Sequence, residues 1–107
     1  EALTDHPHLS PPLVRPGAYH AWHQYCIQTD HASAFVNHMD VNHIDARRYY
    51  TTPIHCQKVF QNHSQYQTTL SVTDHLGQTL VAIPVMHELH DDEVERILQA
   101  LRAFNPV

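Results

Sequence analysis

Lysine is almost missing from this chain: Lys58 is the only one in 107 residues. Glycine is nearly as scarce, with Gly17 and Gly77 alone, so no glycine-rich phosphate loop can be drawn. No apolar run approaches the roughly 18 residues that suggest a membrane-crossing helix. Cations are few, six Lys and Arg against eleven Asp and Glu, and the formal charge is −5 with histidine neutral. That balance argues against non-specific nucleic-acid binding. The two cysteines, Cys26 and Cys56, are too few for a disulfide framework. With no charged-then-apolar leader segment, they read as reduced thiols, and the expectation is a cytoplasmic protein.

The length allows a single core. Residues 1–17 hold four of the seven prolines and read as an extended lead-in to a domain over 18–107, because proline fixes φ and removes a donor. "HAWHQYCIQ" (20–28) alternates and is rich in aromatics, which predicts a strand. Asp30 offers an N-cap for a helix in which Phe35 and Met39 fall on one face. "HIDARRYY" (43–50) predicts a second strand, with Ile44, Ala46, Arg48 and Tyr50 on one face and Asp45, Arg47 and Tyr49 on the other.

Pro53 stands where a helix could start, and "QNHSQYQTT" reads as a polar, mobile loop. Val72, Leu76 and Leu80 then give a short amphipathic helix, and "VAIPV" a third strand ended by Pro84. The last helix is the clearest: Val94, Ile97, Leu98, Leu101 and Phe104 form its stripe, with acids in its first turn and Arg102 in its last. The order β-α-β-α-α-β-α predicts an α/β, two-layer domain, a three-stranded, mainly antiparallel sheet with helices on one face.

Twelve histidines raise the question of a metal. They are scattered, "HELH" (87–90) has not the spacing of a zinc-protease helix, and His20 and His23 would point to opposite faces of a strand. No metal site is expected, and the imidazoles would chiefly raise the net charge below neutral pH. Asp91, Asp92, Glu93 and Glu95 are better explained as a helix N-terminus than as an acid/base pair. His55 and Cys56 are chain neighbours, which do not face one another on a helix, so no cysteine nucleophile is expected. What remains is "ARRYY" and the turn to His55. An arginine fork, a phenol and an imidazole suit sugar hydroxyls or phosphate oxygens; the plainer alternative is sheet-surface residues paired with nearby carboxylates.

Three blocks carry a resemblance. "PPLVRPGAYHAWHQYCI", with His20, Trp22, His23 and Tyr25, is similar to the segment that opens the C-terminal small domain of the DegT/StrS-type sugar aminotransferases. "NHIDARRYYTTPIH" resembles their next block, with Ile44, Tyr49, Tyr50, Pro53 and His55 in position, and "LSVTDHLGQTLVAIPVMHELHDDEVERILQALRAF" resembles their closing helix, strand and helix. Departures are Asn42-His43 where a glycine is usual, with Asn the residue that tolerates a left-handed turn, Ser71 for a frequent proline, and His90 at a cap position.

The resemblance implies the small-domain fold of the fold-type I aminotransferases. It also implies pyridoxal phosphate as the parent family's cofactor and a nucleotide-linked keto-sugar as its substrate. The Schiff-base lysine and cofactor contacts of that family lie in a large domain whose motifs are not among these residues, and Lys58 sits in a different block. The chain by itself is therefore expected to hold no cofactor and no catalytic residue.

The block from 43 to 55 is expected to face the domain cleft. Tyr49, Tyr50 and His55 are its substrate-side residues by resemblance, and Arg47 joins them by strand alternation. Arg47 and Tyr49 should be accessible on one concave face, with Arg48 packed elsewhere. The implied partners are a large aminotransferase domain or a second copy of the chain. The other readings are a stand-alone ligand-binding or interaction module, or one half of a split aminotransferase.

Overall fold

The computed structural model describes residues 3–106. Its elements in chain order are β1 (Tyr25–Gln28), α1 (Ala32–Val41), α2 (Ser71–Thr79), β2 (Leu80–Ile83) and α3 (Asp91–Ala103). Three single 3₁₀ turns, Ile54–Cys56, Lys58–Phe60 and Ser64–Tyr66, lie between α1 and α2.

The sheet has two antiparallel strands, β1 and β2, with Ile27 opposite Val81 and Tyr25 opposite Ile83. The expected third strand over 43–50 is reduced to one bridge, Arg47 to Ala82. There the Arg47 N–H donates to the Ala82 carbonyl at 2.9 Å and the Ala82 N–H returns a bond at 2.7 Å. In that register the residue facing Asp45 is Pro84, which has no N–H, so the ladder stops on that side. On the other side the chain turns away at 49–52. A second bridge joins Ser10 to Gln28 on the far edge of β1.

β1 is also shorter than predicted. Trp22 takes φ 50°, which breaks the extended run, and its ring stacks between His20 and Tyr25 at 4.0 and 4.9 Å. His20 and His23 thus precede the strand instead of lying in it.

The core is built by α1 and α3 against the paired Ile27 and Val81. Phe35 and Met39 from α1 are fully buried, Ile97, Ala100 and Leu101 come from α3, and Phe104 follows directly after it. The rings of Phe35 and Phe104 meet edge-to-face at 5.1 Å, an arrangement that adds about 0.5–1.5 kcal/mol to the area they bury. The proline-rich lead-in packs down through Leu3 and Leu9, both buried. At the start of α3 the Glu93 carboxylate accepts the His90 N–H at 2.9 Å, one half of a capping box.

Other expectations need correction. Asp30 is not the cap of α1; the flanking residue is His31, whose N–H donates to Thr29 Oγ1 at 3.2 Å. No α-helix follows Pro53, because Gln57 is extended and interrupts the run after one 3₁₀ turn. The polar segment after Phe60 carries the third such turn, with Phe60 packed on Tyr66 at 4.7 Å. α2 forms, but its expected stripe faces outward at Val72, and its buried residue is Thr79.

The turn after α1 survives without glycine, though not through Asn42. Asn42 has φ −90° and His43 takes the left-handed position at φ 58°. His43 N–H donates to the Asp40 carbonyl and Ile44 N–H to that of Met39, the paired bonds of a Schellman motif. Ile44 and Met39, the apolar contact that accompanies such a turn, are both in the core.

Candidate functional site

The His43 turn launches residues 44–47 along the edge of β2. Ile44 and Ala46 are buried while Asp45 and Arg47 are exposed, so the alternation holds although the strand does not. Arg47, pinned by its backbone to Ala82, sends its side chain into a groove of about 320 Å³ lined by His23, Gln24, Asp45, Tyr49 and residues 82–86. Its Nε donates to both Asp45 carboxylate oxygens, at 3.0 and 2.8 Å. An ion pair this exposed adds little to stability; its effect is to orient the guanidinium. The hydrogen bond to Asp45, then the charge of Asp45, then that of Tyr49 raise the Arg47 pKa.

Tyr49 lines the same groove, and its ring lies 5.4 Å from that of Tyr50. Tyr50 is outside the groove lining and largely exposed. Arg48 points the other way. Its Nη2 donates to the carbonyls of Gly77 and Gln78 at 3.1 and 2.9 Å, covering the end of α2, and its buried Nε has no partner.

His55 is not in the groove. It sits on the Ile54–Cys56 turn against α2, where its Nε2 lies 3.2 Å from Asp74 Oδ1. Of the four residues named from the sequence, Arg47 and Tyr49 come together, Tyr50 stands beside them, and His55 belongs to another wall. Asp45 was placed on the Arg47 face by alternation but given no role. His23 was hidden because a left-handed Trp22, not a strand, aims it.

The groove presents an acid, a guanidinium, a phenol and an imidazole, an array suited to hydroxyl and phosphate oxygens. A second cleft of about 410 Å³, between the lead-in and α3, is mainly apolar, with Leu3, Tyr25, Ile83, Met86 and Leu98 in its walls.

Residues 1–102 match the DegT/DnrJ/EryC1/StrS aminotransferase family. The chain belongs to that family. It is 31% identical over 94 residues to the UDP-N-acetyl-3-dehydro-alpha-D-glucosamine 3-aminotransferase of Acidithiobacillus ferrooxidans, covering 88% of this chain and 25% of that protein. It is 22% identical over 98 residues to the dTDP-3-amino-3,6-dideoxy-alpha-D-galactopyranose transaminase of Aneurinibacillus thermoaerophilus, covering 92% and 26%.

The fold is similar to that of part of S. venezuelae DesV, with a TM-score of 0.87 at 20% identity over 94% of this chain and 27% of the other. The sugar aminotransferase CalS13 of Micromonospora echinospora is also similar, with a TM-score of 0.75 at 17% identity over 95% and 27%. The chain thus spans about a quarter of the length of these relatives. Among the described residues no helix is long and apolar enough to cross a membrane.

Pyridoxal phosphate, the cofactor implied by the aminotransferase family, needs an amine positioned in a pocket. Lys58 is exposed on the second 3₁₀ turn and is not part of the groove lining. Among the described residues no amine lies in the groove, and no step of the cofactor's chemistry is derived from them.

Proposed function

We propose that this chain is the small C-terminal domain of a nucleotide-sugar aminotransferase. In this reading its groove at Arg47 and Tyr49 forms the rim that holds the sugar nucleotide, while the amine and cofactor site are supplied by a large domain. The observation that carries the reading is the convergence of Asp45, Arg47, Tyr49 and His23 in one groove of a chain that matches the aminotransferase family over residues 1–102. The guanidinium meets the diphosphate oxygens, and Tyr49 and the Asp45 carboxylate meet sugar hydroxyls. Tyr50, exposed beside Tyr49, and His55, behind the turn, complete the face against the large domain. The apolar cleft beside α3 and the exposed Val72 on α2 favour a covered state, by that domain or by a second copy. Acting alone the chain binds but does not transaminate.

The test is a titration of the isotope-labelled protein with a UDP- or dTDP-linked sugar, followed by amide NMR. Shifts are expected at His23, Asp45, Arg47 and Tyr49, and Arg47→Ala should weaken binding at least about tenfold, as loss of a charge-assisted bond implies. Added pyridoxal phosphate should produce no stable imine absorbance. Shifts confined to the apolar cleft, or an imine at Lys58 with turnover, would defeat the proposal.

A further inference from the structure

The Ile54–Cys56 turn brings together side chains that the groove does not use. Consecutive residues on a 3₁₀ turn normally diverge, about three to a turn. Here one ligand atom each from His55, Cys56 and Asp74 lie within 4.8 Å of one another. The two elements of this arrangement, the turn and α2, are strapped together. The turn at 50–53 presses on α2 at Gly77, where an added Cβ would stand 3.4 Å from the Tyr50 carbonyl oxygen and 3.5 Å from Pro53 Cγ. Arg48 ties the same segment to the Gly77 and Gln78 carbonyls. His55 is nearly enclosed, Asp74 is one-third exposed, and Cys56 faces solvent.

We propose that His55, Cys56 and Asp74 form a binding site for a borderline-soft divalent cation, zinc first. An imidazole nitrogen, a thiolate and a carboxylate are the three donor types that zinc accepts, at about 2.0–2.3 Å. Ligands around a tetrahedral ion at those lengths stand roughly 3.3–3.8 Å apart. The His55–Asp74 pair is already at 3.2 Å, and the remaining separations, up to 4.8 Å, need to close by at most about 1.5 Å. The thiolate disfavours magnesium and calcium, which prefer all-oxygen sets. Three protein ligands leave the fourth position open. The same two cluster residues, His55 and Cys56, line a shallow recess of about 530 Å³ with Phe60, Tyr66 and Thr68, and the fourth ligand, a water or a small anion, enters from there. The direct contact between His55 and Asp74 is the arrangement without metal; the cation takes its place between them.

Eleven other histidines make bulk zinc uptake uninformative, so the probe is Co²⁺ added to the reduced protein without oxygen. One equivalent should give the visible bands of tetrahedral cobalt and a near-ultraviolet thiolate-to-metal band, both erased by added Zn²⁺. Cys56→Ser should abolish the thiolate band, Asp74→Asn should raise the Kd at least about tenfold, and Cys26→Ser should change neither. Cys56 is exposed, so its substitution leaves the fold intact, and an unchanged circular dichroism spectrum checks this. The proposal is overturned if no thiolate band forms at millimolar cobalt. It is equally overturned if the band survives Cys56→Ser, or if one metal joins two chains through paired Cys56 thiolates.

Discussion

Replacing His43 by glycine should make this protein more stable, a direction seldom expected from removing a side chain. His43 holds φ 58° at the end of α1. The left-handed conformation costs an L-residue about 1–2 kcal/mol, which glycine avoids. Against this, glycine loses more backbone freedom on folding, about 0.5–1 kcal/mol. The difference is a gain of roughly 0.5–1 kcal/mol, since the His43 ring is exposed and buries little that would be lost. For a domain of this size the melting temperature should rise by about 2–5 °C.

The assay is thermal and urea unfolding followed by circular dichroism, with His43→Val as the opposing control. A β-branched residue is strained at positive φ and should destabilise by more than about 1 kcal/mol. Glycine lowering stability, or valine leaving it unchanged, would refute the left-handed turn. The consequence reaches the groove, because this turn sets which of residues 44–47 face inward, and thereby where Arg47 points.

Two further outcomes are expected. His6 is half-buried and its Nδ1 accepts the N–H groups of His8 and Leu9 at 3.2 and 3.1 Å; burial first, then the charge of His8, lower its pKa below 6.5. The unfolded chain therefore takes up the proton more readily, so this contribution is intact above about pH 6.5 and is lost as pH falls through the folded value. His6→Asn, which keeps an acceptor without titrating there, should flatten the fall in urea midpoint between neutral and mildly acid pH; an unchanged slope would remove His6 as its source. Phe35→Ala, at the centre of the core and against Phe104, should cost about 3–5 kcal/mol in the same unfolding assay, and a loss under about 1 kcal/mol would mean that α1 and α3 do not pack as described.

The departures from expectation have definite causes. The third strand was read from alternation, and alternation is present: Ile44 and Ala46 are buried, Asp45 and Arg47 exposed. Alternation reports which way side chains point, however, not whether a neighbour offers partners, and Pro84 offers none opposite Asp45. β1 begins late because Trp22 adopts a left-handed backbone stabilised by stacked rings, which no propensity anticipates. His55 and Cys56 were set aside because neighbours on a helix diverge; an isolated 3₁₀ turn facing α2 does not obey that rule.

The local chemistry of the chain determined α1, α3 and their buried stripes, since a 3.6-residue apolar period admits one helical face. It also determined the family, through blocks of residue types in order. Which polar groups meet was decided only by tertiary structure. His23 joins Arg47 and Tyr49, and Asp74 joins His55 and Cys56, because separate turns bring distant segments to one surface. Such meetings depend on backbone paths between elements, where no repeating pattern records the direction of the chain.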